Sequence, residues 1–139
     1  MRELRLCLVA VLAILIVMSG QMSHARECTP GKKCTCTGME DCSLKCKGKG
    51  CKFSCMATGD CSVECEKGEC TVESLGTGDT NVKCPGGKCT VNAKNTGDTT
   101  LDCTGKGCTL NCTGTGDCIL KNCKDCKLNC TGTGTCSRK

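Results

Sequence analysis

From Cys36 onward, apolar and polar positions come in short bursts of one form. Each burst reads C-x-φ-x-C, where φ is a single apolar residue. The ten φ positions are Leu44, Phe53, Val63, Val72, Val82, Val91, Leu101, Leu110, Leu120 and Leu128, spaced by 9, 10, 9, 10, 9, 10, 9, 10 and 8 residues. Cysteine, φ and cysteine stand at i, i+2 and i+4, which is one face of a strand. The residues between them, such as Ser43 and Lys45, Thr71 and Glu73, or Thr109 and Asn111, are polar and face outward, with Ile119 the exception. The alternation predicts short strands with one buried face, and its fixed period is the signature of a solenoid.

The links between bursts are rich in Gly and Asp, the residues of tight turns. A long link, as in Cys55–Cys61 or Cys112–Cys118, alternates with a short one, as in Cys46–Cys51 or Cys103–Cys108. Long plus short gives a unit of 19 residues, hence a coil of two strands and two turns. The expectation is one all-β, disulfide-braced solenoid of about five such coils, stacked as two parallel sheets face to face. Residues 26–35 would cap it, 36–136 would carry the repeats, and 137–139 would form a tail. Arg138 and Lys139 charge the last strand, and polar ends keep coils from polymerising, so a monomer is expected.

The first residues follow a different rule. Met1–Arg5 holds two arginines, Leu6–Met18 is an unbroken apolar run of 13 residues, and Ser23 and Ala25 are placed as −3 and −1 residues for cleavage. Residues 1–25 therefore read as a secretory signal peptide whose core is too short to span a bilayer, a signal anchor being the alternative. No other segment is long and apolar enough for a membrane helix. The expected product is secreted, starts near Arg26, and keeps 20 of the 21 cysteines, an even number in an oxidising compartment. Its net charge falls from +5 to +4, too mild to name an anionic partner. His24 leaves with the leader, and one Phe is the whole aromatic content. Ordering a residue costs about 1–2 kcal/mol of backbone entropy, and burying a Leu or Val returns about 1.5–3 kcal/mol. Ten such side chains cannot hold about 114 residues, so cross-links and main-chain hydrogen bonds must.

Two breaks in the pattern predict the cross-links. Ser74 replaces a cysteine before a long link and Thr80 replaces the one after it; Ala93 and Thr99 do the same one coil on. Cysteines vanish in couples that flank one link, as bonded pairs would. The predicted bridges are Cys28–Cys34, Cys36–Cys42, Cys46–Cys51, Cys55–Cys61, Cys65–Cys70, Cys84–Cys89, Cys103–Cys108, Cys112–Cys118, Cys123–Cys126 and Cys130–Cys136. Bridges between neighbouring coils are the alternative, because stacked strands lie about 4.8 Å apart and sequence does not fix connectivity.

Candidate chemistry is sparse. General acid–base catalysis needs a His or a carboxylate pair in a pocket; without either, the chain is expected to be no enzyme and to hold no cofactor. Cys123-x2-Cys126 is the nearest match to a zinc motif, but paired cysteines in a secreted chain favour bridges over metal. Asp60, Asp79, Asp98 and Asp117 form an acidic ladder. Calcium-binding β-rolls place Asp two residues before the apolar position, whereas here the gap is three. The preferred reading is an Asp that caps its own turn, so no metal is expected. Lys47, Lys49, Lys67, Lys88, Lys106 and Lys124 form an opposite basic edge, either solvated or facing anionic lipid or polysaccharide. Nucleic acid is excluded as a partner by the lack of an aromatic stacking platform.

Threonines recur at one turn position (Thr58, Thr77, Thr96, Thr115 and Thr133) and at one strand position (Thr71, Thr90 and Thr109). In this the chain resembles the insect antifreeze proteins, small disulfide-braced β-solenoids that present ranks of Thr or Tyr to ice. Cys103-Thr-Gly-Lys-Gly-Cys108 is similar to the C-x-G-x-x-C element of one such type, and the resemblance spans about residues 36–136. It implies ice binding through the Thr ranks. The chain departs from that pattern where Glu73, Asn92 and Asn111 accompany the strand Thr, and where Lys52 and Lys127 interrupt the rank. Asn111 and Asn129 each open an Asn-Cys-Thr glycosylation sequon. The expected function is that of a secreted, non-catalytic protein with a rigid repetitive surface that binds or builds matrix, cuticle or mineral. The alternatives are an ice-binding protein and a secreted venom component or effector.

Overall fold

In a parallel stack, every residue meets the equivalent residue of the neighbouring coil, so a 19-residue repeat lays each apolar φ side chain on the next. The computed structural model describes residues 25–139. The leader expected over residues 1–25 lies, Ala25 apart, outside the described residues. The strands are β1 (Arg26–Glu27), β2 (Lys33–Cys36), β3 (Cys42–Cys46), β4 (Lys52–Cys55), β5 (Cys61–Cys65), β6 (Thr71–Ser74), β7 (Thr80–Lys83), β8 (Thr90–Ala93), β9 (Thr99–Asp102), β10 (Thr109–Cys112), β11 (Cys118–Lys121), β12 (Lys127–Cys130) and β13 (Cys136–Arg138). Odd strands form a seven-stranded sheet and even strands a six-stranded one. All pairings are parallel, as a coil that returns to the same sheet once per turn requires. The result is an all-β solenoid of about six turns. The sixth turn comes from β1 and β2, because residues 26–36 form a coil of their own where a cap over 26–35 was expected.

The register stacks Leu44 on Val63, Val63 on Val82, Val82 on Leu101 and Leu101 on Leu120 in the seven-stranded sheet. Phe53, Val72, Val91, Leu110 and Leu128 stack likewise in the other sheet. All of these are buried except Leu128, which lies half-buried in the last coil. Apolar side chains meet apolar side chains from coil to coil, so one narrow core runs through the stack. In the first coil, Cys34 pairs with Phe53 and takes the place of the missing apolar residue. The last turn is one residue shorter, and the compression is absorbed around Cys123–Cys126, where Asn122 and Asp125 adopt φ angles of 54° and 55°.

Turn glycines are demanded by proximity. A Cβ on Gly78, Gly97 or Gly116 would run into the carbonyl of Gly59, Gly78 or Gly97 in the preceding coil. That close approach explains why the glycine recurs after Thr58, Thr77, Thr96 and Thr115.

The two ends of the seven-stranded sheet carry the same device. Arg26 stands in register with Leu44, and Arg138 in register with Leu120, so an arginine occupies the φ position at each end of the core rank. Arg26 Nη1 donates to the carbonyl of Thr35 at 3.4 Å, and Arg138 Nη2 to that of Cys126 at 3.2 Å. In the other sheet, Lys33 and Lys127 end the same outward row. Head-to-tail stacking of two molecules would set Arg138 on Arg26 and Lys127 on Lys33. We expect Arg26→Leu/Arg138→Leu to convert the protein into end-to-end oligomers, visible by analytical ultracentrifugation and electron microscopy. A sedimentation profile unchanged from the wild type, with an unchanged strand spectrum in circular dichroism, would show that other features block the ends.

Candidate functional site

The sulfurs line both edges of the sandwich. The twenty cysteines among the described residues form ten bridges: Cys28–Cys34, Cys36–Cys42, Cys46–Cys51, Cys55–Cys61, Cys65–Cys70, Cys84–Cys89, Cys103–Cys108, Cys112–Cys118, Cys123–Cys126 and Cys130–Cys136. Each crosses one turn, with Cα separations of 5.9–6.5 Å. Where the long-link edge lacks a bridge, hydrogen bonds replace it. Ser74 Oγ and Thr80 Oγ1, both buried, share a bond of 2.6 Å. In the next coil, Ala93 is too short to reach across. There Thr99 Oγ1 donates to Asn95 Oδ1 at 3.0 Å, and Asn95 Nδ2 donates to the carbonyls of Gly97 (2.8 Å) and Gly78 (3.3 Å). Sequence reasoning missed Asn95; the signal was an amide at the link position that holds Ala57, Gly76 or Gly114 in other coils.

The Asp ladder acts between coils. Asp41, Asp60, Asp79 and Asp98 each accept, through Oδ1, the backbone N–H of the next Asp in the series at 2.8–2.9 Å. Asp117 accepts from Thr135 at 2.7 Å, and the ladder stops there because Thr135 carries no carboxylate. The expected cap within the same turn is thus corrected: the stack aligns each carboxylate with the neighbouring coil's N–H, and the bond forms there. The Thr rank is built similarly. Thr58, Thr77 and Thr96 donate Oγ1 to the carbonyls of Gly38, Thr58 and Thr77 at 3.4–3.5 Å, the outer limit of a hydrogen bond, while Thr115 and Thr133 continue the exposed row.

The two sheet faces differ. On the seven-stranded face, Glu27, Lys45, Glu64, Lys83, Asp102 and Lys121 stand in one register row and alternate strictly in sign. Beside it runs a row of Ser43, Ser62, Asn81, Thr100, Ile119 and Ser137. Like charges directly opposite on adjacent strands destabilise a sheet, and alternation removes that cost. Lys45 Nζ reaches Glu66 Oε1 at 2.8 Å and Glu64 Oε2 at 3.4 Å. Its hydrogen bond to Glu66, chiefly, raises the Lys45 pKa, and the same bond holds the Glu66 carboxyl below its usual range. The edge read as basic is partly neutralised: Lys47 pairs with Glu27 at 3.2 Å and Lys49 with Glu69 at 3.3 Å, while Lys67, Lys88, Lys106 and Lys124 are exposed.

On the six-stranded face, Thr71, Thr90 and Thr109 form one row and Glu73, Asn92, Asn111 and Asn129 the row beside it. Lys33 and Lys52 precede the Thr row, and Lys127 follows it. Asn111 Nδ2 donates to Asn92 Oδ1, and Asn129 Nδ2 to Asn111 Oδ1, both at 2.8 Å. The amides of the two sequons are therefore links of one ladder; Asn111 is half-buried and Asn129 exposed.

No protein-family model matches the chain, and no significant match was found among curated proteins or solved structures. The class is defined by the fold alone, a disulfide-braced β-solenoid.

Two outcomes follow from this geometry. Ser74→Cys/Thr80→Cys should close an eleventh bridge, with a loss of two mass units. A loop this small adds about 2 kcal/mol in the chain-entropy model; after loss of the Ser74–Thr80 bond, a net gain of about 1 kcal/mol in chemical denaturation is expected. Glu66 should titrate below the usual glutamate range in carboxyl NMR, and Lys45→Met should return it upward. Because its folded pKa is lowered, its contribution is complete above the ordinary glutamate pKa and is lost as pH falls through the folded value.

Proposed function

We propose that the protein is a non-catalytic extracellular binding or structural element whose sheet faces engage a repetitive solid or polymeric surface such as matrix, cuticle or mineral. The carrying observation is the alternating row Glu27, Lys45, Glu64, Lys83, Asp102 and Lys121, held at strand spacing on a cross-linked frame. A row of fixed charges about 4.8 Å apart matches a target that repeats its own charges, and bridges at both edges remove the entropy cost of ordering that row on contact. Binding of this kind is additive over many weak contacts and falls with salt. The test is co-sedimentation of the disulfide-intact chain from Arg26 onward with chitin, collagen fibrils and calcium carbonate. We expect retention on at least one, weakened about tenfold by Lys83→Glu/Lys121→Glu, which makes the row acidic. A folded protein left in the supernatant by all three solids at physiological salt would reject the reading.

One observation favours a second reading, ice binding: Thr71, Thr90 and Thr109 lie beside the hydrogen-bonded Asn92–Asn111–Asn129 ladder as a largely uncharged patch on the six-stranded face. Thermal hysteresis abolished by Thr90→Lys would support it. A hysteresis of zero would end it without touching the first reading.

A further inference from the structure

Among the described residues, four sites bring three or more sulfurs within 4.8 Å of one another. Three of them hold one whole bridge and a single cysteine from a neighbouring coil: Cys46 beside Cys65–Cys70, Cys108 beside Cys84–Cys89, and Cys136 beside Cys112–Cys118. The fourth gathers both sulfurs of two bridges, Cys103–Cys108 and Cys123–Cys126. The cause is the compressed last turn. Cys123–Cys126 spans three residues, against five or six for every other bridge, and this shorter link draws its sulfurs over the preceding pair.

The two cysteines of this link are not equivalent. Cys123 is half-exposed, whereas Cys126 is buried. Cys126 Sγ accepts the backbone N–H of Cys108 at 3.1 Å and lies 4.0 Å from Cys103 Sγ. A donated N–H stabilises negative charge on sulfur, and C-x-x-C spacing with nearby cations lowers thiol pKa. One cation is fixed beside the link, Arg138 donating to the Cys126 carbonyl at 3.2 Å, while Lys106 and Lys124, paired in register through their backbones, are exposed. An accessible sulfur joined to a buried one that a backbone N–H supports is the arrangement thiol–disulfide exchange uses.

We propose that Cys103, Cys108, Cys123 and Cys126 form a thiol–disulfide exchange site at which an external dithiol opens Cys123–Cys126 and the opening passes to Cys103–Cys108. One thiolate of the dithiol attacks Cys123 Sγ; a mixed disulfide forms, the Cys123–Cys126 bond breaks, and the electron pair leaves on Cys126. The second thiol of the reductant then displaces Cys123 and closes as a disulfide. Two electrons and two protons have passed to the cysteine pair. The Cys126 thiolate next attacks Cys103 Sγ; Cys103–Cys126 forms, Cys103–Cys108 breaks, and the pair leaves on Cys108 with no further change in oxidation state. A bridge within one coil is thereby exchanged for a bridge between coils.

The experiment is limited reduction of the native chain with dithiothreitol, an acid quench, alkylation with iodoacetamide, and peptide mapping by mass spectrometry. Label is expected first at Cys123 and Cys126, about tenfold ahead of the mean of the other bridges. Label at Cys108 should follow, with a Cys103–Cys126 cross-link. In Cys103→Ser/Cys108→Ser, checked for its strand spectrum, label should stay at Cys123 and Cys126. First labelling at the exposed Cys130, or at several bridges at once, would overturn the proposal, as would label at Cys123 and Cys126 with no Cys103–Cys126 product in the wild-type chain.

Discussion

Each coil of this protein is held by the coil beside it, and the constraint behind everything else is the in-register parallel stack. With ten φ side chains and hardly any aromatic surface, the chain buries its apolar atoms by laying coil on coil. Stacking Leu44, Val63, Val82, Leu101 and Leu120 on one another turns five isolated side chains into a continuous rank, and the opposite sheet does the same with Phe53, Val72, Val91 and Leu110. The same register repeats every other decision. A glycine that lets one turn approach the next must recur in each turn, and a charge on one strand must be answered on the next.

The edges show how the chain solves one problem in two chemistries. Across most turns a disulfide ties strand to strand. In the middle of the long-link edge, Ser74 and Thr80, then Asn95 and Thr99, tie it by hydrogen bonds buried among the same neighbours. A covalent bridge limits the unfolded chain, whereas a buried hydrogen bond satisfies polar groups that would otherwise cost stability. The two coils without a long-edge bridge keep Cys65–Cys70, Cys84–Cys89 and Cys103–Cys108 at the short edge. Every coil is therefore closed covalently on at least one side.

Much of this was legible in the chain. Strand positions followed from alternation, coil size from the sum of two link lengths, and bridge partners from the coupled loss at Ser74/Thr80 and Ala93/Thr99. The first coil was less legible: β1 has two residues and no C-x-φ-x-C burst, and Cys34 stands in for the apolar residue. Asn95 escaped because its role depends on the carbonyls of Gly78 and Gly97, groups that carry no side-chain signature.

By itself, the sequence determined the period, the buried face of each strand and the places where the chain must turn, because these are local consequences of spacing and residue type. The tertiary structure decided which groups face each other across coils. The Asp carboxylates reach the next coil's N–H because stacking brings that donor within 2.8–2.9 Å. The alternating charges from Glu27 to Lys121 lie 18 or 19 residues apart along the chain and become one row only when the strands align. The meeting of four sulfurs at Cys103, Cys108, Cys123 and Cys126 likewise depends on how the last turn absorbs its missing residue. Contacts between coils depend on orientation as well as distance, and orientation is set only once the whole stack is built.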